Sequence, residues 1–206
     1  MKMDIGINLA RPHPGACMYL SADVLNLRRE WTYRLAEHQR HATSAALVMA
    51  TSSSETVANN LLERLIDRVV PQMEFGRHAV EAFTDELTPY TATKTANAAV
   101  AWTNGHRLHL IFCGHMRVVL MCQGHARHLP PPDDLHPHWF EMAIEAGDWF
   151  IMAVPATDAA LPLGSILKLT QQGLHATDVC RTAATLAMQA DPLNHHAVLA
   201  MHRLPA

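Results

Sequence analysis

The sequence predicts an α/β fold: a two-sheet antiparallel β-sandwich flanked by helices, in the layer order α-β-β-α. Three observations carry this expectation. Two stretches with helical apolar spacing follow the early strands, the middle of the chain breaks into short apolar runs between glycine turns, and helices then lead into a closing apolar strand. At 206 residues, 49% of them hydrophobic, the chain can build one sizeable core, so a single domain over 1–206 is expected.

The elements follow in order. Residues 4–9 alternate loosely as an edge strand, ended by Arg11-Pro12-His13-Pro14-Gly15, which continues neither a ladder nor a helix. Residues 17–20 make the next strand, and the charged stretch 26–43 reads as a helix or an excursion. Residues 44–50 are a short apolar run, read as a buried strand that breaks at Thr51-Ser52-Ser53-Ser54. Ser54 is placed to cap a helix in which Val57, Leu61, Leu62, Leu65, Ile66 and Val69 recur at helical spacing, stopped by Pro71. A second helix over 73–87 gathers Phe75, Ala79, Val80, Phe83 and Leu87 on one side and is closed by Pro89.

The period then changes. Residues 95–102 form a strand, Asn104-Gly105 is a strong hairpin signal, and 107–113 is the return strand. Gly114-His115 turns into 116–122, and Gln123-Gly124 into 125–129, so a meander of four antiparallel strands is expected. Pro130-Pro131-Pro132-Asp133-Asp134 is a stiff linker whose acidic pair is solvated. Strands at 140–144 and 149–154 surround Glu145-Ala146-Gly147-Asp148. Helices are expected near 157–161, 165–169 and 176–189, the last capped by Thr177 or Asp178, before a final strand at 196–204.

Composition removes several classes of function. Sixteen basic against nineteen acidic residues give a formal charge of −3, with no basic footprint for nucleic acid or anionic lipid. The start of the chain lacks a secretory pattern, and no apolar run reaches the roughly 18 residues of a spanning helix, so a cytoplasmic protein is expected. Cys17, Cys113, Cys122 and Cys180 form no C-x-x-C pair and read as reduced, mostly buried thiols. Trp102, Trp139 and Trp149 read as core or sheet-face packing. Most of the fifteen histidines read as surface residues that make the net charge sensitive to pH between about 5 and 8.

Three blocks in order resemble the metal-dependent Ser/Thr protein phosphatases of type 2C, including their bacterial and sporulation-type branches. The clearest is Lys94-Thr95-Ala96-Asn97-Ala98-Ala99-Val100, then Arg107 to Arg117, then Gln123-Gly124. There the family has a Gly-Thr-Thr-Ala strand and a strand ending in Gly-Asp-Ser-Arg. Gly114 and Arg117 are kept here, with His115 and Met116 between them. Ala146-Gly147-Asp148-Trp149-Phe150-Ile151-Met152-Ala153-Val154-Pro155-Ala156-Thr157-Asp158 is similar to the run that ends in Ser-Asp-Gly-Leu-x-Asp. Residues 187–202 match a helix, a loop with Asp-Asn and a last strand.

The resemblance implies a site of aspartates holding two Mn²⁺ or Mg²⁺ ions around an attacking water. At the matching positions this sequence has Gly15 and Ala16, then Thr51-Ser52-Ser53, then Pro155, then Leu193-Asn194-His195 with Asp191 nearby. Hence the expectation is a pseudophosphatase without cofactor or catalytic residues. It would bind a protein partner, a phosphoprotein or kinase in bacterial signalling, or pair with a second copy of itself as a homodimer. Arg11 with Ser52, Ser53 and Ser54 is the candidate anion site, since the arginine matches the family's phosphate-gripping position and the serines open a helix. The serines lack the flanking glycines of a nucleophile elbow. The alternative is a divergent metal-dependent hydrolase in which His13, His115 and His195, with His196 beside them, replace carboxylates as ligands.

Overall fold

The computed structural model describes residues 3–10, 19–28, 31–34, 41–42, 44–52, 54–91, 96–104, 106–114, 116–122, 125–129 and 136–205. Two six-stranded antiparallel sheets face each other. The first runs β4(His41–Ala42), β1(Met3–Ala10), β12(His196–Arg203), β11(Trp149–Ala153), β8(Arg117–Cys122), β9(His125–Leu129). The second runs β10(His138–Ala143), β7(Arg107–Cys113), β6(Ala96–Thr103), β5(Ala45–Ser52), β2(Tyr19–Arg28), β3(Trp31–Arg34). Helices α1(Glu55–Arg64) and α2(Arg77–Thr91) cover the second sheet, and α3(Pro155–Ala160), α4(Leu163–Gln171) and α5(Ala176–Ala190) cover the first. The predicted α-β-β-α order is thus the observed one. Among the described residues no helix is long and apolar enough to cross a membrane.

Each central strand divides its side chains between two cores, because successive residues of a strand point to opposite faces. Leu47 and Met49 of β5 enter the layer between the sheets, while Val48 and Ala50 pack under α1 and α2. On β11, Phe150 and Met152 point inward and Ile151 outward to α5. A strand covered on both faces reads as an unbroken apolar run, and all eight residues of β5 are buried.

That double coverage overturns the four-strand meander. β7 pairs with β6 and β10 in one sheet, and β8 pairs with β9 and β11 in the other. The chain crosses from one sheet to the other between β7 and β8, and Gly114, directly after β7, takes φ 82. It crosses again between β10 and β11, through a turn in which Asp148 Oδ2 accepts from the Glu145 amide at 2.7 Å. Cys113 and Cys122 therefore lie in different sheets, and Cys122 is exposed rather than buried.

Other expectations shift as well. β2 runs on to Arg28 and pairs with β3, so these residues are strand where a helix or an excursion was expected. The α1 helix passes into a π-helical turn at Leu65–Val69 and a 3-10 turn at Val70–Phe75 that carries Pro71. α2 continues to Thr91 with Pro89 inside its last turn, where the ring removes one amide-to-carbonyl bond close to the helix end. β1 is flanked by β12 along its length, and β4 covers only Met3 and Asp4 on its other side.

The cap of α5 comes from neither Thr177 nor Asp178. The buried Asp4 carboxylate, 172 positions away, accepts from the Ala176 amide at 2.7 Å, and His175 Nδ1 lies 3.3 Å from the same oxygen. Negative charge at a helix start is favourable, and it satisfies a donor with no partner inside the helix. Gly6 makes this seat possible, since a Cβ there would stand 2.3 Å from the Ala176 carbonyl carbon.

Gly6→Ala is expected to cost about 3 kcal/mol, the upper end of overpacking, because the obstructing atoms are helix backbone. Urea unfolding of both proteins measures it, and an unchanged midpoint refutes the close seat. His202, stacked on Trp149 with centroids 4.2 Å apart, is held below the ordinary histidine value of 6.5 mainly by burial. The unfolded chain therefore takes up that proton first, so stability is full above pH 6.5 and falls as pH drops through it. In His202→Phe the acid-side slope of stability against pH should be shallower.

Candidate functional site

One end of the sandwich gathers the positions singled out in the sequence. β1 ends there at Ala10, opposite His196 at the start of β12. β5 ends at Ser52, opposite Tyr19 of β2 and Ala96 of β6. β11 ends at Ala153, opposite Arg117 at the start of β8. Both sheets must terminate here, so their last polar groups have to satisfy one another.

On the second sheet, Thr51 and Ser52 are buried. Asn97 Nδ2 donates to Thr51 Oγ1 at 2.9 Å. The Asn97 side chain lies against Gly114, where an added Cβ would meet its Oδ1 at 2.1 Å. Gly114 is therefore required twice, by its positive φ and by this approach. Ser52 Oγ accepts from the Ser54 amide at 3.4 Å. Ser54 stands at the α1 N-cap in extended conformation without a side-chain capping bond, so its backbone marks the helix start but its hydroxyl does not close it.

On the first sheet, His196 and Thr157 are each 0% exposed. His196 Nε2 lies 2.6 Å from the Asp191 carbonyl, which only accepts, so the proton sits on Nε2 and Nδ1 is left as an acceptor. Thr157 Oγ1 lies 3.3 Å from that Nδ1 and accepts from the Ala197 amide at 3.1 Å. Asn194 Nδ2 donates to Asp191 Oδ2 at 2.7 Å, and the Leu193 amide reaches Asp191 Oδ1 at 3.3 Å. The Asn194 bond is the main reason the Asp191 carboxyl is held below its ordinary value. Arg117 Nη1 donates to the Leu161 carbonyl at 3.2 Å, tying β8 to the loop after α3.

A threonine beside a histidine has the form of a nucleophile and its base. With both fully buried, the hydroxyl cannot meet a substrate, and the pair works as a clasp between α3 and β12. Hard dications of the Mg²⁺ or Mn²⁺ kind want several carboxylate oxygens. The described donors are hydroxyls, an amide and an imidazole (Thr51, Ser52, Asn97, Thr157 and His196) with the single carboxylate of Asp191, which Asn194 and the Leu193 amide already engage, and this set does not fit such a pair. Among the described residues no three His, Cys, Asp or Glu side chains are grouped to hold a metal.

Of the residues singled out in the sequence, Arg11, His13, Ser53 and His115 lie outside the described residues, as do Gly15, Ala16, Asp133 and Asp134. Ser52, Ser54, His195 and His196 are described, with the last two in the loop and strand start after Asp191. Asn97 and Thr157 were missed as site residues. Their signal lay in the two blocks that carry the resemblance, where a polar residue closes or opens an apolar run.

No protein-family model matches the sequence, and comparison with curated proteins gives no match. Solved structures do match in fold. The Mycobacterium tuberculosis serine/threonine phosphatase PstP/Ppp aligns over 100% of both chains with a TM-score of 0.71 at 10% identity. RsbX, solved in complex with magnesium, aligns over 97% of this chain and 94% of its own, with a TM-score of 0.70 at 10% identity. The phosphatase domain of Bacillus subtilis SpoIIE aligns over 98% of this chain and 94% of its own, with a TM-score of 0.66 at 11% identity. The chain has the type 2C phosphatase fold.

Thr157→Val is expected to destabilise by about 1–3 kcal/mol, since it leaves His196 Nδ1 and the Ala197 amide buried without their partner. Chemical denaturation measures the loss, and a value near zero removes the clasp from the account.

Proposed function

We propose that this chain is a pseudophosphatase, a type 2C phosphatase-like domain that binds a protein partner in bacterial signalling and does not catalyse metal-dependent hydrolysis. One observation carries the reading. At the sandwich end where the resemblance places two metal ions, the described buried side chains are hydroxyls, an amide and an imidazole, bonded through Thr51–Asn97 and through His196, which joins the Asp191 backbone carbonyl to Thr157. Two dications need several carboxylates to balance them, and Thr51, Ser52, Thr157 and His196 supply none, while the nearby Asp191 carboxylate is taken up by Asn194 and the Leu193 amide. The same bonds join the strand ends without an ion, so the scaffold can keep its outer surface for docking. A phosphoprotein or kinase is the proposed partner, with Arg11, Ser52, Ser53 and Ser54 as the proposed contact for a phosphate on it.

The test uses the purified chain, its metal content, and p-nitrophenyl phosphate turnover under Mn²⁺, Mg²⁺ and Zn²⁺. The expected result is sub-stoichiometric metal, turnover at the protein-free rate, and a thermal midpoint unmoved by EDTA. Stoichiometric metal with turnover that vanishes in His195→Ala or His13→Ala overturns the proposal in favour of a histidine-containing metal site.

A further inference from the structure

The outer face of the second sheet holds a titratable group that the end of the sandwich does not use. His109 of β7 is 8% exposed, and its Nδ1 is buried with no partner among the described residues. Two indoles enclose the ring. Trp102 of β6 meets it edge-on at 4.9 Å between centroids, and Trp139 of β10 lies at 5.6 Å. The Val70–Phe75 turn packs into the same apolar layer, with Val70 and Met73 in one cluster with both indoles. Gly76, at φ 36, brings its backbone over Trp139, where an added Cβ would stand 3.7 Å from Cζ2.

Charged groups face this box from three elements. Arg107 lies on the same strand, Glu141 stands directly opposite His109 on β10, and Glu74 of the Val70–Phe75 turn acts on it through its charge. Arg107 and Glu141 are ion-paired with each other. β6 presents Trp102. A polar atom left unpaired in an aromatic box is tolerable while the ring is neutral, and it becomes costly once the ring carries charge away from water. Burial accordingly holds His109 below the ordinary value of 6.5, with Glu141 and Glu74 opposing that effect and Arg107 adding to it.

We propose that His109 is a proton-operated latch for the Val70–Phe75 turn. Neutral, its ring completes the box with Trp102 and Trp139, and the turn stays seated through Gly76. Protonated, it favours a state in which the turn has lifted and the imidazole meets water, because a proton binds more tightly where the ring is solvated. The lifted turn carries Phe75, already 60% exposed, away from the sheet. Acidification thus changes the apolar surface at the entry to α2 without unfolding the sandwich.

Hydrogen exchange of the full chain between pH 7.5 and 5, corrected for the intrinsic pH dependence of exchange, tests the latch. Amides of the Val70–Phe75 turn and of β10 should open more on acidification, by up to about tenfold per pH unit, the limit for one proton. In His109→Phe, which fills the box with an uncharged ring, the same amides should show no such rise. An equal rise in His109→Phe, or a flat response in the wild type, overturns the proposal. The wild-type protein also gives a reading that needs no variant. The His109 imidazole should titrate below 6.5 by NMR, with tryptophan fluorescence quenched over the same range. Titration at or above 6.5 refutes the latch whatever the variant does.

Discussion

Each sheet must be apolar on both faces, since it meets the other sheet on one side and a helix layer on the other. Most of the architecture follows from that double coverage. Val48 and Leu47 are neighbours in sequence yet belong to different cores, and β6, β8, β11 and β12 divide their residues in the same way. Polar groups are driven to the strand ends and turns, where several are buried all the same because the sheets end against loops and helices. Asp4 is the extreme case, a carboxylate 1% exposed that holds the first turn of α5. Its burial is offset on one oxygen, Oδ2, which the Ala176 amide and the His175 imidazole both face.

The same constraint explains what the sequence discloses. Positions of most strands and helices were legible, because an apolar run bounded by glycine, proline or polar turns looks alike wherever it sits, but the charged stretch that holds the end of β2 and β3 offered no such run. Which sheet a strand joins was not. β7 and β8 are both buried on each face, so no alternation of polar and apolar residues distinguishes a hairpin return from a crossing between sheets. Gly114 was visible as a turn, but its second role, making room for Asn97, needs the fold. The α5 cap was invisible for a related reason, since its acceptor comes from the first strand instead of the adjacent residues. The histidines were read as mostly surface, yet His109 and His196 are buried, and their neighbours lie on other strands and helices.

The sandwich end can be understood through electrostatics alone. A pair of dications and a ring of carboxylates stabilise one another, and neither is tenable buried without the other. If the ions go, each remaining buried carboxylate becomes an uncompensated charge costing several kcal/mol, so a lone survivor is the least stable outcome. On the proposed reading, concerted replacement by neutral donors and acceptors would resolve this. Thr157 and His196 have the form such a replacement would take, because their bonds are made to each other and to backbone.

The imidazole of His196 works as a linker within the fold. At His196 the ring bridges the Asp191 carbonyl and the Thr157 hydroxyl, joining the C-terminal end of α5 to the start of α3. A carboxylate there could not donate to the carbonyl, and an alkyl side chain would leave both partners unpaired, so the position asks for a group that donates at one end and accepts at the other. His109 meets a different demand, that of a flat ring between two indoles, and it brings a protonation site with it. What separates the two is their surroundings. His196 has hydrogen-bond partners on both nitrogens and acts as a fixed joint, whereas the unpartnered Nδ1 of His109 makes that site responsive to a proton.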